Sequence, residues 1–123
     1  MTKHELPWPP SINHYWRTVM IGRAPRVLIS KEGRKYREAV RGIAATKRPL
    51  TGRLSVYIAV FPPDRRKRDL DNLPKAILDA LTYAGVWQDD SQIDSITIVR
   101  QRVLKGGVIR IVIEEIESEG EAA

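Results

Sequence analysis

The stretch Leu54–Phe61, Leu-Ser-Val-Tyr-Ile-Ala-Val-Phe, alternates at the two-residue period of a β-strand and is apolar at almost every position. Leu54, Val56, Ile58 and Val60 point one way; Ser55, Tyr57, Ala59 and Phe61 point the other. Such a strand is expected to be covered on both faces. Pro62-Pro63 ends it, because proline brings no backbone donor to a ladder.

Helical spacing appears on both sides of this strand. Ser30 can cap a helix running to about Thr46, with Tyr36, Ala39, Val40 and Ile43 as its apolar stripe. Lys47 to Gly52 forms a turn. A second helix is expected from about Asn72 to Ala84, burying Leu73, Ile77, Leu81 and Ala84, with Pro74 tolerated in its first turn and Gly85 as its left-handed stop. At the N-terminus, Pro7, Pro9 and Pro10 allow only a short edge strand that stops near Leu6. Residues 11–29 mix Asn13, Tyr15, Trp16, Arg17, Arg23 and Arg26 around Gly22 and Pro25, which is loop composition. Residues 93–104 and 108–116 read as two strands joined around Gly106-Gly107, a C-terminal β-hairpin. The expected fold is therefore α+β (mixed α/β): one small domain, residues 1–116, with a mixed sheet and two main helices. The acidic tail 117–123 has no apolar period and is expected to fray.

At 123 residues the chain can bury a real core, and dimerisation is a natural way to extend it. No run of apolar residues is long enough to span a membrane. Lys3, His4 and Glu5 interrupt any secretory signal. There is no cysteine, so neither disulfides nor thiolate metal sites arise. These features suit a cytoplasmic protein.

The charge is unevenly spread. Residues 1–68 hold sixteen Lys/Arg and four Asp/Glu, a net +12, while residues 69–123 hold five and eleven, a net −6. The sign changes at Asp69, where Arg65-Arg66-Lys67-Arg68 runs into Asp69-Leu70-Asp71-Asn72. Cations hold a phosphate backbone, and closely spaced carboxylates hold a hard divalent cation that activates water against it. The oxygen-only donor set suits Mg²⁺ or Mn²⁺ better than Zn²⁺. The plainer account makes Asp71 or Asn72 a helix cap with a solvated neighbour. Lys75, four residues after Asp71, either makes an ordinary ion pair with it or sits on a scissile phosphate. Asp89-Asp90 could add a third oxygen ligand. A helix of about thirteen residues carries the chain about 20 Å away, and six extended residues just bring it back. Asp90 thus meets Asp69 and Asp71 only if the chain folds straight back or a partner subunit supplies it. His4 and His14 belong to no metal or triad pattern and are expected to be structural or exposed. No Gly-rich phosphate loop is present, so no nucleotide cofactor is expected.

These residues resemble the RusA-type Holliday junction resolvases over most of the chain. The resemblance rests on Leu6-Pro7-Trp8-Pro9-Pro10-Ser11 with Asn13 and Tyr15, and on Pro63-Asp64 through Arg65-Arg66-Lys67-Arg68 to Asp69-Leu70-Asp71-Asn72-Leu73. It continues through Lys75, Asp79-Ala80-Leu81, Ala84-Gly85, Trp87, Asp89-Asp90 and Lys105-Gly106-Gly107. It implies a homodimeric, Mg²⁺-dependent endonuclease, with Mn²⁺ able to substitute, that nicks four-way DNA junctions symmetrically in recombination and repair. Asp69, Asp71 and Asp90 match the family's metal ligands and Lys75 its catalytic lysine. Arg68 matches a basic position beside the site. Asp89 is adjacent to a matched ligand and could act behind it.

DNA contacts are expected from Arg65, Arg66, Lys67, Arg68, Asn13 and Arg17, with the basic helix 30–46 holding junction arms. Trp16 or Tyr15 either stacks on a base at the crossover or is buried in the core. A bacterial or prophage origin is expected. The competing readings are a metal nuclease acting on other branched DNA, and a non-catalytic branched-DNA-binding protein whose carboxylates only cap a helix.

Overall fold

A computed structural model describes residues 1–116; the expected acidic tail, 117–123, lies outside the described residues. Chain order is β1 (Thr2–Pro7), α1 (Ile12–Tyr15), β2 (Trp16–Ile21), β3 (Ala24–Ile29), α2 (Lys31–Ala44), β4 (Arg53–Phe61), α3 (Pro74–Ala84), β5 (Ile93–Arg100) and β6 (Val108–Ile116), with 3₁₀ turns at Leu70–Asn72 and Asp90–Gln92. Four strands form one mixed sheet in the order β1-β6-β4-β5, and β2-β3 form a separate ribbon. This is the α+β domain with two main helices that the sequence led us to expect. Among the described residues no helix is long and apolar enough to cross a membrane.

β4 is central, pairing antiparallel with β6 and parallel with β5. Its Leu54, Val56, Ile58 and Val60 are all buried, joining Ile109, Ile111 and Ile113 of β6 under α2 and α3. Coverage of the opposite face is only partial. Ala59 and Phe61 are buried there, but Tyr57 is 40% exposed. Both helices lie on one side of the sheet, and among the described residues the far side is covered by side chains such as Arg110, stacked 5.0 Å from the Phe61 ring.

The local stop and start signals hold. β1 ends at Pro7 on the sheet edge. The Ser30 side chain accepts the Gly33 N–H at 2.9 Å, a cap worth about 1 kcal/mol. Gly85 closes α3 with φ 81°. The buried stripe of α2 is Gly33, Tyr36, Val40 and Ala44, whereas Ala39 and Ile43 of the expected stripe are exposed.

Two expectations are overturned. Residues 11–29 are not a loop: a short helix leads into the β2-β3 hairpin, turned at Gly22 with φ 64°. Its side chains are mostly exposed on both faces, so no hydrophobic alternation marks it. The C-terminal β-hairpin is also absent. β5 and β6 do not pair; β4 lies between them. The Gly106-Gly107 turn is real, with φ 85° and 72°. But Gln101 donates to the Val60 carbonyl at 2.8 Å and Leu104 to that of Pro62 at 2.9 Å. Those bonds end β5 at Arg100 and carry the chain across the end of β4 to its other side.

A Cβ at Gly107 would lie 2.8 Å from the Trp8 Cβ, at a backbone angle that side chains rarely adopt. Gly107→Ala is expected to cost about 2 kcal/mol in urea unfolding. An unchanged midpoint would contradict this account of the turn.

Candidate functional site

The segment between β4 and α3 carries the charge reversal, and its shape follows from a few local bonds. Asp64 accepts the Arg66 N–H at 2.9 Å and the Arg68 guanidinium at 2.8 Å. Arg68 also donates to the Asp64 carbonyl at 3.3 Å and lies 5.7 Å from the Trp8 ring. The carbonyl of Arg68 in turn accepts Arg100 from β5 at 2.6 Å. The Arg68 hydrogen bond, followed by that of the Arg66 N–H, holds the Asp64 carboxyl down to about 2. Arg68 is thus folded back as a clasp, while Arg65, Arg66 and Lys67 stay exposed.

A cleft of about 600 Å³ opens here, its walls including Trp8, Ser11, His14, Arg66, Lys67 and Asp69. Arg68 and Asn72 also face it. Asp71, in the same 3₁₀ turn, and Lys75, in the first turn of α3, are exposed beside it. Asn13 on α1 and Arg17 on β2 are exposed as well, but neither lines the cleft.

The helix-cap account of the carboxylates does not hold. Neither the 3₁₀ turn nor α3 has a side-chain cap, and α3 starts from Leu73 with Pro74 next. The N-cap position of α3 falls on Leu73, so neither Asp71 nor Asn72 stands where a side chain would cap it. The plain Asp71–Lys75 ion pair is not formed either, among the described residues. The Lys75 ammonium instead lies over the Trp16 ring at 5.7 Å. The carboxylates of Asp69 and Asp71 therefore face solvent with no hydrogen-bonding or ion-pair partner among the described residues.

Asp90 stands elsewhere. β4 and β5 run parallel, Leu54 beside Ile93 and Val60 beside Arg100. Asp69 sits by the Arg100 end, and Asp90 leads into the Ile93 end. An eight-residue strand separates them, about 23 Å. The chain does not fold straight back. Consistently, no three His, Asp or Glu of one chain cluster closely enough to hold a metal among the described residues. Free carboxylate oxygens fit a hard divalent ion, but two residues are a partial ligand set. Asp89 serves its own loop: its N–H and that of Gln88 donate to Gln92 Oε1, each at 2.9 Å, and its carboxylate accepts from Ser91.

Three features escaped sequence reasoning. Gln92 is buried and donates to the Leu50 and Gly52 carbonyls at 2.9 Å each, fixing the Asp90 turn. His14 lines the cleft, its Nδ1 2.9 Å from Ser11 Oγ; the Ser11-x-x-His14 spacing of one helical turn was the available signal. The third is a network beneath Trp16. Arg37 grips Asp79 at 2.8 and 3.0 Å, and the Tyr15 hydroxyl donates to the same carboxylate. Burial pushes the Tyr15 hydroxyl up, and the bond to Asp79 adds to this. Tyr15 is wholly buried, so base stacking falls to half-buried Trp16 if to either. His4 is half-buried in β1, where burial lowers its pKa.

Comparison with known proteins matches the same regions. The family model of endodeoxyribonuclease RusA matches residues 7–114. A crossover junction endodeoxyribonuclease RusA of Shigella sonnei strain Ss046 is 44% identical over 117 residues, covering 93% of this chain and 94% of its own. That of Escherichia coli K12 is 43% identical over 117 residues with the same coverage. That of Enterobacteria phage HK97 is 40% identical over 116 residues, 92% of this chain and 93% of its own.

Two outcomes follow from the clasp and the network. The folded Asp64 carboxyl lies below its ordinary 3.8, so it favours the fold above that value and loses this contribution as pH falls through about 2. Asp64→Asn should then loosen the loop and weaken DNA binding severalfold while leaving the pH–rate profile between pH 5 and pH 8 unchanged in shape, given that this group stays ionised there. A displaced acid limb would contradict it. Asp79→Ala should cost about 2–3 kcal/mol, because a buried hydroxyl and a guanidinium lose their shared acceptor. Denaturant unfolding reads the loss, and a cost near zero would contradict the network.

Proposed function

The chain belongs to the RusA endodeoxyribonuclease family, and from that premise we propose that it is a crossover junction endodeoxyribonuclease, hydrolysing phosphodiester bonds of four-way DNA junctions by paired, symmetric nicks. One observation carries the assignment of its site. Asp69 and Asp71 stand exposed and uncommitted at a basic cleft, although a helix start, a lysine and an arginine run lie within reach to occupy them. Carboxylates that the protein's own cations leave unengaged remain free for a hard divalent cation.

Asp69 and Asp71, with Asp90 of the partner subunit, would hold Mg²⁺, and Mn²⁺ in its place. When bound, such an ion supplies Lewis acidity at the scissile phosphate and a water of lowered pKa. The remaining work belongs to side chains of the chain itself. Lys75, held over Trp16 rather than spent on Asp71, places its ammonium where charge grows on the phosphoryl oxygens. Arg65, Arg66 and Lys67 hold the backbone of the cut strand, with Asn13, Arg17 and the cationic face of α2 extending the contact along the junction arms. Arg68 keeps the loop in shape through Asp64 and contributes charge to the cleft wall.

A homodimer is part of this proposal. The position of Asp90 at the far end of β5 supports a site completed by a second chain, and a junction with two equivalent strands suits two such sites about a twofold axis. The bacterial and phage sources of the relatives fit action on DNA in a bacterial cytoplasm.

Two measurements test the proposal. Asp71→Asn should abolish Mg²⁺-dependent nicking of a synthetic four-way junction while binding stays intact or strengthens, because a charge facing phosphate is removed. Undiminished nicking would sink the metal assignment. Mixing Asp69→Asn with Asp90→Asn subunits should restore about a quarter of the wild-type sites, as single nicks, since each mixed dimer holds one intact site. A mixture as inactive as its parents would contradict sharing.

A further inference from the structure

The β2-β3 ribbon stands apart from the main sheet and is anchored at its base, where Trp16 and Ile29 pack against the core. Further out, Met20 is 63% exposed and Val27 66%, and Ile21 and Leu28 are exposed as well. Packing within the domain does not account for four apolar side chains in water on one short hairpin. Apolar surface gathered in this way marks a contact site.

The register sorts the ribbon into two unlike faces. Directly paired residues share a face. Trp16 with Ile29, Thr18 with Val27 and Met20 with Pro25 therefore line one side, without a charge. Arg17 and Arg26 stand on the other side, and Arg23 follows Gly22 in the turn. Residues 16–29 hold three arginines and no acidic residue, so the ribbon suits a polyanion and repels a second copy of itself.

Its place ties it to the site. The uncharged face begins at Trp16, under the Lys75 ammonium, and the segment leading into β2 supplies Ser11 and His14 to the cleft wall. From Trp16 to Ile21, at about 3.4 Å per residue, the ribbon reaches about 17 Å outward.

We propose that this ribbon is a wedge for the branch point of junction DNA. Met20 and Val27 cover base-pair faces that open there, while Arg17, Arg23 and Arg26 hold the flanking phosphates. This role rests on the junction-nuclease reading above and assigns to the ribbon the choice of branched DNA over linear duplex. In a linear duplex every base pair is stacked on both sides, and an apolar wedge must first unstack a step. At a branch point stacking is already interrupted, so the same apolar surface is covered without that cost. The arginines bind either form, because phosphate contacts carry no preference of this kind.

The double variant Met20→Ser, Val27→Ser changes only exposed side chains. Without divalent metal, it should lower the ratio of four-way junction to linear duplex affinity about tenfold, read by fluorescence anisotropy. A 2-aminopurine at the branch point, quenched by stacking, should brighten when the wild type binds and stay dark with the double variant. Arg26→Gln should instead weaken binding to junction and duplex alike and reduce the salt slope by about one.

A double variant that keeps both the preference and the 2-aminopurine signal, while the wild type nicks junctions with Mg²⁺, would overturn the wedge and leave the nuclease reading standing. A wild type that neither prefers nor nicks junctions would remove both. Unchanged preference with altered sedimentation of the double variant would overturn the wedge in favour of a protein contact at the ribbon.

Discussion

The parallel pairing of β4 with β5 sets the terms for everything else in this chain. Two parallel neighbours require a connection that returns the full length of the strands, and α3 is that return. What comes before the helix and what comes after it must then lie at opposite ends of the sheet. Asp69 and Asp71 come before; Asp90 comes after. A hairpin in place of this crossover would have set the three carboxylates close together in one chain. On the proposed assignment of Asp69, Asp71 and Asp90 to one metal ion, this topology gives a single subunit a pair of carboxylates at one end of the sheet and a lone one at the other.

Around Asp69 and Asp71 the structure commits cations and leaves anions free. Arg68, the arginine nearest the carboxylates in sequence, is tied to Asp64, Trp8 and the loop backbone. Lys75 is drawn over Trp16, whose place is set by Tyr15, Asp79 and Arg37. Each arrangement removes a positive charge that would otherwise neutralise the aspartates. The cationic side chains left exposed, Arg65, Arg66 and Lys67, belong to the same loop, and they are the ones proposed to meet phosphate.

What the sequence revealed depended on how local the cause was. Ser30, Pro7 and Gly85 act within one turn of chain, and each stops or starts an element where its chemistry predicts. The strand at 54–61 was equally plain, because its alternation needs no partner to be recognised. Gly106-Gly107 gave a true turn and a false hairpin: a turn is local, but which strand lies alongside depends on Gln101 and Leu104 bonding to β4. The β2-β3 ribbon went unseen because both its faces meet solvent, so burial writes no period into it. Asp71 looked like a cap because aspartate usually is one, but α3 starts at Pro74 and its N-cap position falls on Leu73. The reach estimate for Asp90 left two outcomes, which only the strand order could separate.

Mn²⁺ binding, followed by electron paramagnetic resonance at protein concentrations above and below the dimer dissociation constant, tests the central claim most directly. A site shared between subunits predicts one tight Mn²⁺ site per chain in the dimer, much weaker binding in the dilute monomer, and the same loss in Asp90→Asn at every concentration. Equal affinity in monomer and dimer, unaffected by Asp90→Asn, would contradict it.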